Sequence, residues 1–209
     1  MTDWGALYAD HVAGLAELGA ELDEADLATI VAATPAWTVH DVFRHVAGVA
    51  ADTVTGRMDG APGPAWTARG VAEREDRSVP ELVDELRAIV PAIQEAVADH
   101  PAPPVVWDIA VHHQDLYETL GRGQLPGALW TPIVTTLAPR VLGKQEASVR
   151  VGDTIYGAGG PDIAVTPYEL FRTLFSRRSR GQINAWAEDA LVIDQLCIFG
   201  PRDDDQPIP

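Results

Sequence analysis

The chain holds one cysteine, Cys197, among 209 residues. That excludes an internal disulfide framework and any site built from several thiolates of its own. Lysine is nearly missing: Lys144 is the only one, and arginine carries the rest of the positive charge. Positive charge is itself in deficit, with 15 Lys and Arg against 31 Asp and Glu, a net charge of −16 and an isoelectric point near 4.5. Such a balance argues against nucleic acid and anionic membrane surfaces as partners. No apolar run approaches the ~18–20 residues of a membrane span. The opening MTDWGALYAD lacks the basic region and apolar stretch of a signal peptide. These absences lead to the expectation of a cytoplasmic protein.

What remains is an ordinary globular composition, 46% hydrophobic and 22% charged, in a chain long enough for one large domain or two small ones. Residues 3–23 place Leu7, Val12, Leu15, Leu18 and Leu22 at near-helical spacing, which predicts a first helix. His11, beside Tyr8, reads as exposed or satisfied there. Thr34-Pro35-Ala36-Trp37-Thr38 breaks the chain. Thr38 then reads as the N-cap of a second helix, with Asp41 at N3 completing a capping box. That helix runs to about Asp59, with Val42, Val46 and Val49 on its inner stripe. His45 faces the same way, whereas His40, in the first turn, reads as solvated.

Residues 60–77 are rich in Gly, Pro, Ala and charge and read as a loop. Arg69, Arg74 and Arg77 in it are either a solvated charged face or a place to meet an anionic substrate. Ser78, Pro80 and Glu81 open a third helix, whose stripe is Leu82, Leu86, Ile89, Ile93 and Val97. Pro91 is expected to kink it.

Val105–Gly121, VVWDIAVHHQDLYETLG, reads as a fourth helix. Asp108 and His112 stand at i and i+4, one turn apart on one side, and Val105, Ile109 and Leu116 share that stripe. A polar pair among apolar neighbours needs partners. A metal ion would satisfy both groups, and so would a purely structural Asp–His hydrogen bond. His45 is a candidate third ligand from another helix. Asp115, seven residues past Asp108, is nearly on the same face and suits a hydrogen bond from a ligand imidazole. His113 points about 100° away and reads as solvated or satisfied.

Four helices with short to moderate connections make an up-and-down bundle the simplest packing. A further helix is expected over 127–143. The character then changes. Residues 147–151 and 154–156 flank a Gly152-Asp153 turn and read as a hairpin, Gly157–Pro161 as a loop, and Ile163–Val165 as a short strand. Pro167 opens a helix through about Trp186. Cys197, in the strand-like run VIDQLCIFG, reads as buried and inert. Gly200–Pro209 reads as frayed. The fold class is therefore α+β: a helical bundle over 1–143 and a small α+β domain over 144–209.

Three motifs in this order resemble one known family. They are TPAWTVHDVFRHVAG (34–48), with Trp37, Asp41 and His45 at four-residue steps; WDIAVHHQDL (107–116); and TPYELFRTLFSRRSRGQI (166–183). The set resembles the mycothiol-dependent maleylpyruvate isomerase family, and the resemblance covers nearly the whole chain. It implies a DinB-like metal-binding bundle followed by a small α+β domain, with His45, Asp108 and His112 as metal ligands. It also implies a catalytic arginine that maps to Arg177 or Arg178. Two departures stand out. Isomerases of the family carry Glu where this chain has Asp108, and Ser176 precedes the Arg-Arg-Ser core in place of Gly. Helical spacing points Arg178 toward the packed face, where it would hold an anion or a carboxylate.

Three N/O ligands leave positions open, the catalytic arrangement of Zn²⁺, and the metal's charge would deliver a bound thiol as thiolate. With Cys197 buried, the thiol is expected from outside, as mycothiol or another low-molecular-weight thiol, and the second partner is a small electrophile. An arginine would hold the carboxylate of that electrophile. Three readings follow: a thiol-dependent isomerase or S-transferase, a catalytically silent metal- or ligand-binding member, and a structural bundle without metal.

Overall fold

The computed structural model describes residues 2–159 and 162–209. They fall into two compact units, residues up to Gln124 and residues Leu125–Ile208.

In the first unit, α1 (Trp4–Glu21) starts where the Asp3 carboxylate accepts the Ala6 N–H at 2.9 Å. A single turn, α2 (Glu24–Leu27), leads to α3 (Val39–Thr55). The expected capping box at its start is present: the Asp41 N–H donates to Thr38 Oγ1 (3.1 Å) and the Thr38 N–H to Asp41 Oδ2 (3.0 Å). The helix ends at Thr55 and not near Asp59, because Gly56 takes the left-handed conformation (φ 74°) that glycine adopts without a Cβ penalty. After it come α4 (Pro64–Ala72), α5 (Val79–Val97) and α6 (Pro104–Thr119). α5 runs through Pro91 as one continuous helix.

The segment 60–77, read as a loop, therefore holds a helix. Pro64 opens it with a pre-set φ, and Trp66 anchors it, buried, with its indole N–H on the Arg57 carbonyl (3.0 Å). Two of its three arginines are paired with the protein's own carboxylates. Arg69 pairs with the buried Asp52, and Arg74 with Glu85 at 2.5 Å. His40, read as solvated, shares a hydrogen bond with the Arg77 carbonyl at 2.8 Å.

The four long helices form a bundle in which α1 and α3 each pack against both α5 and α6. α1 and α3 thus lie on one diagonal and α5 and α6 on the other, and the chain crosses from α1 to α3 through the long connection at 22–38. Most of the predicted stripes form the core: Leu15, Val42, Leu82, Leu86, Ile93 and Leu116 are fully buried and Ile109 nearly so, whereas Leu22 and Ile89 are only partly covered. At about 1.5–3 kcal/mol for each such side chain, these stripes are what hold the helices together.

The second unit begins with a 3-10 turn at Gly127–Leu129 and α7 (Thr131–Leu142). Three strands follow: β1 (Ser148–Val151), β2 (Thr154–Tyr156) and β3 (Asp162–Val165), in the order β2-β1-β3. β1 and β2 form the expected hairpin across Gly152-Asp153, with Val151 opposite Thr154, and β3 joins β1 in parallel. The loop expected over Gly157–Pro161 lies partly outside the described residues. The sequence placed the boundary after Gly143. The compact unit starts instead at Leu125, because the apolar face of α7, Ile133, Val134 and Leu137, packs with this unit.

The helix expected from Pro167 to Trp186 is two helices, α8 (Pro167–Leu174) and α9 (Arg180–Ala187). Between them Ser176 takes a left-handed φ of 61°, and Ser179 restarts the helix by accepting the Gln182 N–H on Oγ (3.0 Å). The run around Cys197 is a short helix, α10 (Ile193–Leu196), and not a strand. Residues 200–208 are tied down. The Arg180 N–H donates to the Arg202 carbonyl (2.8 Å), and Gln206, buried, exchanges bonds with Gln182 in both directions (2.7 and 3.1 Å). The fold is thus the α+β arrangement the sequence implied: a mostly helical chain with a small three-stranded sheet toward its C-terminal end.

Candidate metal centre

His45 comes from the second turn of α3, and Asp108 and His112 from adjacent turns of α6, the helix packed against it. The three predicted residues meet. His45 Nε2 lies 3.3 Å from Asp108 Oδ1, and His112 Nε2 lies 3.8 Å from the same oxygen. One ligand atom from each falls within 4.8 Å of the others. Bonds of ~2.0–2.1 Å in a tetrahedral site set neighbouring donor atoms roughly 3.4 Å apart, so this spacing and donor set suit a divalent cation such as Zn²⁺.

The imidazoles are buried, His45 at 4% and His112 at 5% exposure, while the Asp108 side chain keeps 26%. The centre therefore reaches solvent on its carboxylate side. Burial pushes the His112 pKa down against the pull of Asp115 and Asp108, which keeps the ring neutral with a lone pair to give. Its other nitrogen, Nδ1, lies 3.1 Å from Oδ2 of Asp115, itself buried. Asp115 thus stands beside the ring as expected, at hydrogen-bond distance but without hydrogen-bond alignment, and Nε2 is on the Asp108 side.

Two groups at the site were not singled out as site residues. Trp37 covers the imidazoles, with ring centroids 4.5 Å from His45 and 5.7 Å from His112. The connection before α3 holds it there: the Val31 N–H donates to the Trp37 carbonyl (3.0 Å) and the Trp37 N–H to the Thr34 carbonyl (2.8 Å). Tyr8 of α1 is fully buried, and the charge of Asp108 adds to burial in raising its pKa. The quoted motif contained Trp37, so its place was readable in part. Tyr8 gave only its position one turn before His11.

His113, expected to be solvated or satisfied, is buried and paired through one nitrogen, with Nδ1 3.1 Å from Nδ1 of the equally buried His11. In the second unit Arg178 is fully buried and grips Glu169 with two bonds, Nε to Oε2 (2.6 Å) and Nη2 to Oε1 (2.9 Å). The carboxylate it holds is therefore the protein's own. Arg177 is also buried, with Nη1 on the Phe175 carbonyl (2.7 Å).

The sequence profile of the mycothiol maleylpyruvate isomerase N-terminal domain matches residues 8–116, just over half the chain. The chain belongs to this family. The matched segment of this family member contains all three residues of the centre. Among solved structures, the crystal structure of the mycothiol-dependent maleylpyruvate isomerase is similar, at a TM-score of 0.51 and 12% identity, covering 85% of this chain and 92% of that one. A histidine-to-alanine mutant of the mycothiol-dependent maleylpyruvate isomerase is similar at a TM-score of 0.49, with the same identity and coverage. At that identity the likeness speaks for the fold. No curated protein matches the chain. Among the described residues, no helix is long and apolar enough to cross a membrane.

Proposed function

We propose that this family member binds a divalent metal, Zn²⁺ in the first instance, through His45, Asp108 and His112, and works with a low-molecular-weight thiol on a small electrophile. The observation that carries the reading is the convergence of two buried imidazoles and a partly exposed carboxylate from two packed helices. Family membership supports mycothiol as the thiol. A bound Zn²⁺ supplies the positive charge that lowers a thiol's pKa and presents it as a thiolate.

The chain's own residues prepare the place. Asp115 stands beside the His112 ring, whose Nε2 is on the Asp108 side. Trp37 screens both imidazoles from water on one side. The exposed edge of Asp108 marks the side from which thiol and electrophile enter. In isomerisation the thiolate sulfur adds to a double bond conjugated with a carbonyl, and the electron pair moves to the carbonyl oxygen. The former double bond then rotates, and return of the pair expels the thiolate. In S-transfer a carbon–sulfur bond forms as the leaving group departs with its electron pair. Arg177 and Arg178 are the candidates for holding a substrate carboxylate. The protein is accordingly proposed to be cytoplasmic, where such thiols are kept reduced.

A second reading has its own support. Arg178 is committed to Glu169, and Asp108 is a carbon shorter than the family's glutamate, which suits a member that binds metal or a small ligand without turning over. Metal analysis by plasma mass spectrometry tests the common ground. About one equivalent of Zn²⁺ is expected in the wild type, lost in His45→Ala and in His112→Ala. A wild type that neither carries nor takes up Zn²⁺ sinks both readings. Thiol-dependent turnover of an electrophile, abolished by His45→Ala, then separates the enzyme from the silent binder.

A further inference from the structure

Tyr8 stands on the buried face of α1, on the same side as His11 one turn later, and His11 touches His113, the neighbour of His112 on α6. It is 1% exposed, and its hydroxyl is buried with no hydrogen-bond partner among the described residues. A buried hydroxyl left unmatched costs about 1–3 kcal/mol, and phenylalanine would fill the same space without that cost. The hydroxyl lies in the field of Asp108, whose negative charge, after burial itself, holds the phenol in its protonated form. A neutral phenol keeps its O–H, which can donate to an oxygen acceptor.

We infer that Tyr8 is a ligand-binding residue of the centre, its hydroxyl donating a hydrogen bond to the carboxylate or carbonyl oxygen of a small molecule bound beside Asp108. The assignment rests on the proposed metal centre and adds to it a group from a third helix. The three metal-binding candidates come from α3 and α6 alone. Tyr8 brings in α1, the helix that packs against α6, so an oxygen held at the centre meets a donor from an element that supplies none of the three. It also selects ligands, because an oxygen acceptor satisfies the phenol and an alkyl or halide group of the same size leaves it unmatched.

The test uses the full chain loaded with Co²⁺, whose visible absorption reports its ligands, and acetate as the carboxylate probe. Tyr8→Phe keeps the ring, so the fold is expected to survive, checked by an unchanged or raised thermal midpoint. Co²⁺ affinity is expected to stay within about twofold of wild type, while acetate binds roughly tenfold or more weakly, as befits a lost hydrogen bond to a charged group. Equal acetate affinity in wild type and Tyr8→Phe overturns the assignment and leaves the metal centre standing. A drop in Co²⁺ affinity as large as the drop for acetate also overturns it, since Tyr8 would then shape the cage and not the ligand. A wild type that takes up no Co²⁺ brings down the metal centre and this assignment together.

Discussion

At the scale of single residues, the candidate centre depends on groups that would not touch the metal. Asp115 is the clearest. It is 1% exposed, and its carboxylate lies 3.1 Å from His112 Nδ1, on the far side of the ring from the Nε2 that faces Asp108. Asp115→Asn is expected to weaken Zn²⁺ affinity about 10–100-fold while leaving the one-to-one stoichiometry, as read by competition with a chromophoric chelator. Cys197 makes the opposite kind of claim. Burial pushes its thiol up to about 11 from 9, so at neutral pH it is protonated, covered and slow to react. A thiol reagent should label it quickly only after denaturation. The same shift fixes a sign. The folded value lies above the unfolded one, so its contribution to stability is complete below pH 9 and is lost as pH rises toward 11, by up to about 1.4 kcal/mol per unit. Urea midpoints of wild type and Cys197→Ala should therefore converge between those two pH values.

Elements show why part of the molecule was readable and part was not. The start of α3 was readable because its cap is local: Thr38 and Asp41 are three residues apart and satisfy each other. The inward face of α6 was readable because Asp108, His112 and Asp115 follow the helical period. α4 was not, because its anchor is tertiary. Nothing in PAWTARGVA announces that Trp66 will be buried on the Arg57 carbonyl or that Arg69 will meet Asp52. The break between α8 and α9 was hidden for a related reason, since it turns on Ser176 in a left-handed conformation that serine rarely takes. The packing of α1 on α6 supplies a test at this scale. A Cβ on Gly14 would stand 2.5 Å from Cε1 of His113, a buried ring already engaged with His11. Gly14→Ala should cost roughly 1–3 kcal/mol despite the better helix propensity of alanine, measured by urea denaturation. A neutral or stabilising result would mean that the two helices separate more easily than their buried histidines suggest.

For the whole molecule, the division into two units assigns different work to different lengths of chain. All three residues of the candidate centre lie before Gln124, and the buried arginines lie after Leu125. Arg178 binds Glu169 bidentately and also donates to the Arg177 carbonyl (2.6 Å) and the Pro207 carbonyl (3.3 Å), so α8, the break after it and the C-terminal segment share one guanidinium. Removing one partner of such a pair leaves a charge behind. Because Glu169 keeps a quarter of its side chain exposed, the cost for Arg178→Met is set at about 3 kcal/mol, the lower end for buried pairs. The loss should fall on the second unit alone. Calorimetry should show a transition shifted to lower temperature, while plasma mass spectrometry still finds one equivalent of Zn²⁺ on the variant. If Arg178 instead serves a substrate carboxylate, the variant should keep its thermal midpoint and lose thiol-dependent turnover through a raised KM. Loss of metal together with the early transition would contradict the separation of the two units, because it would make the centre depend on residues that lie beyond Leu125.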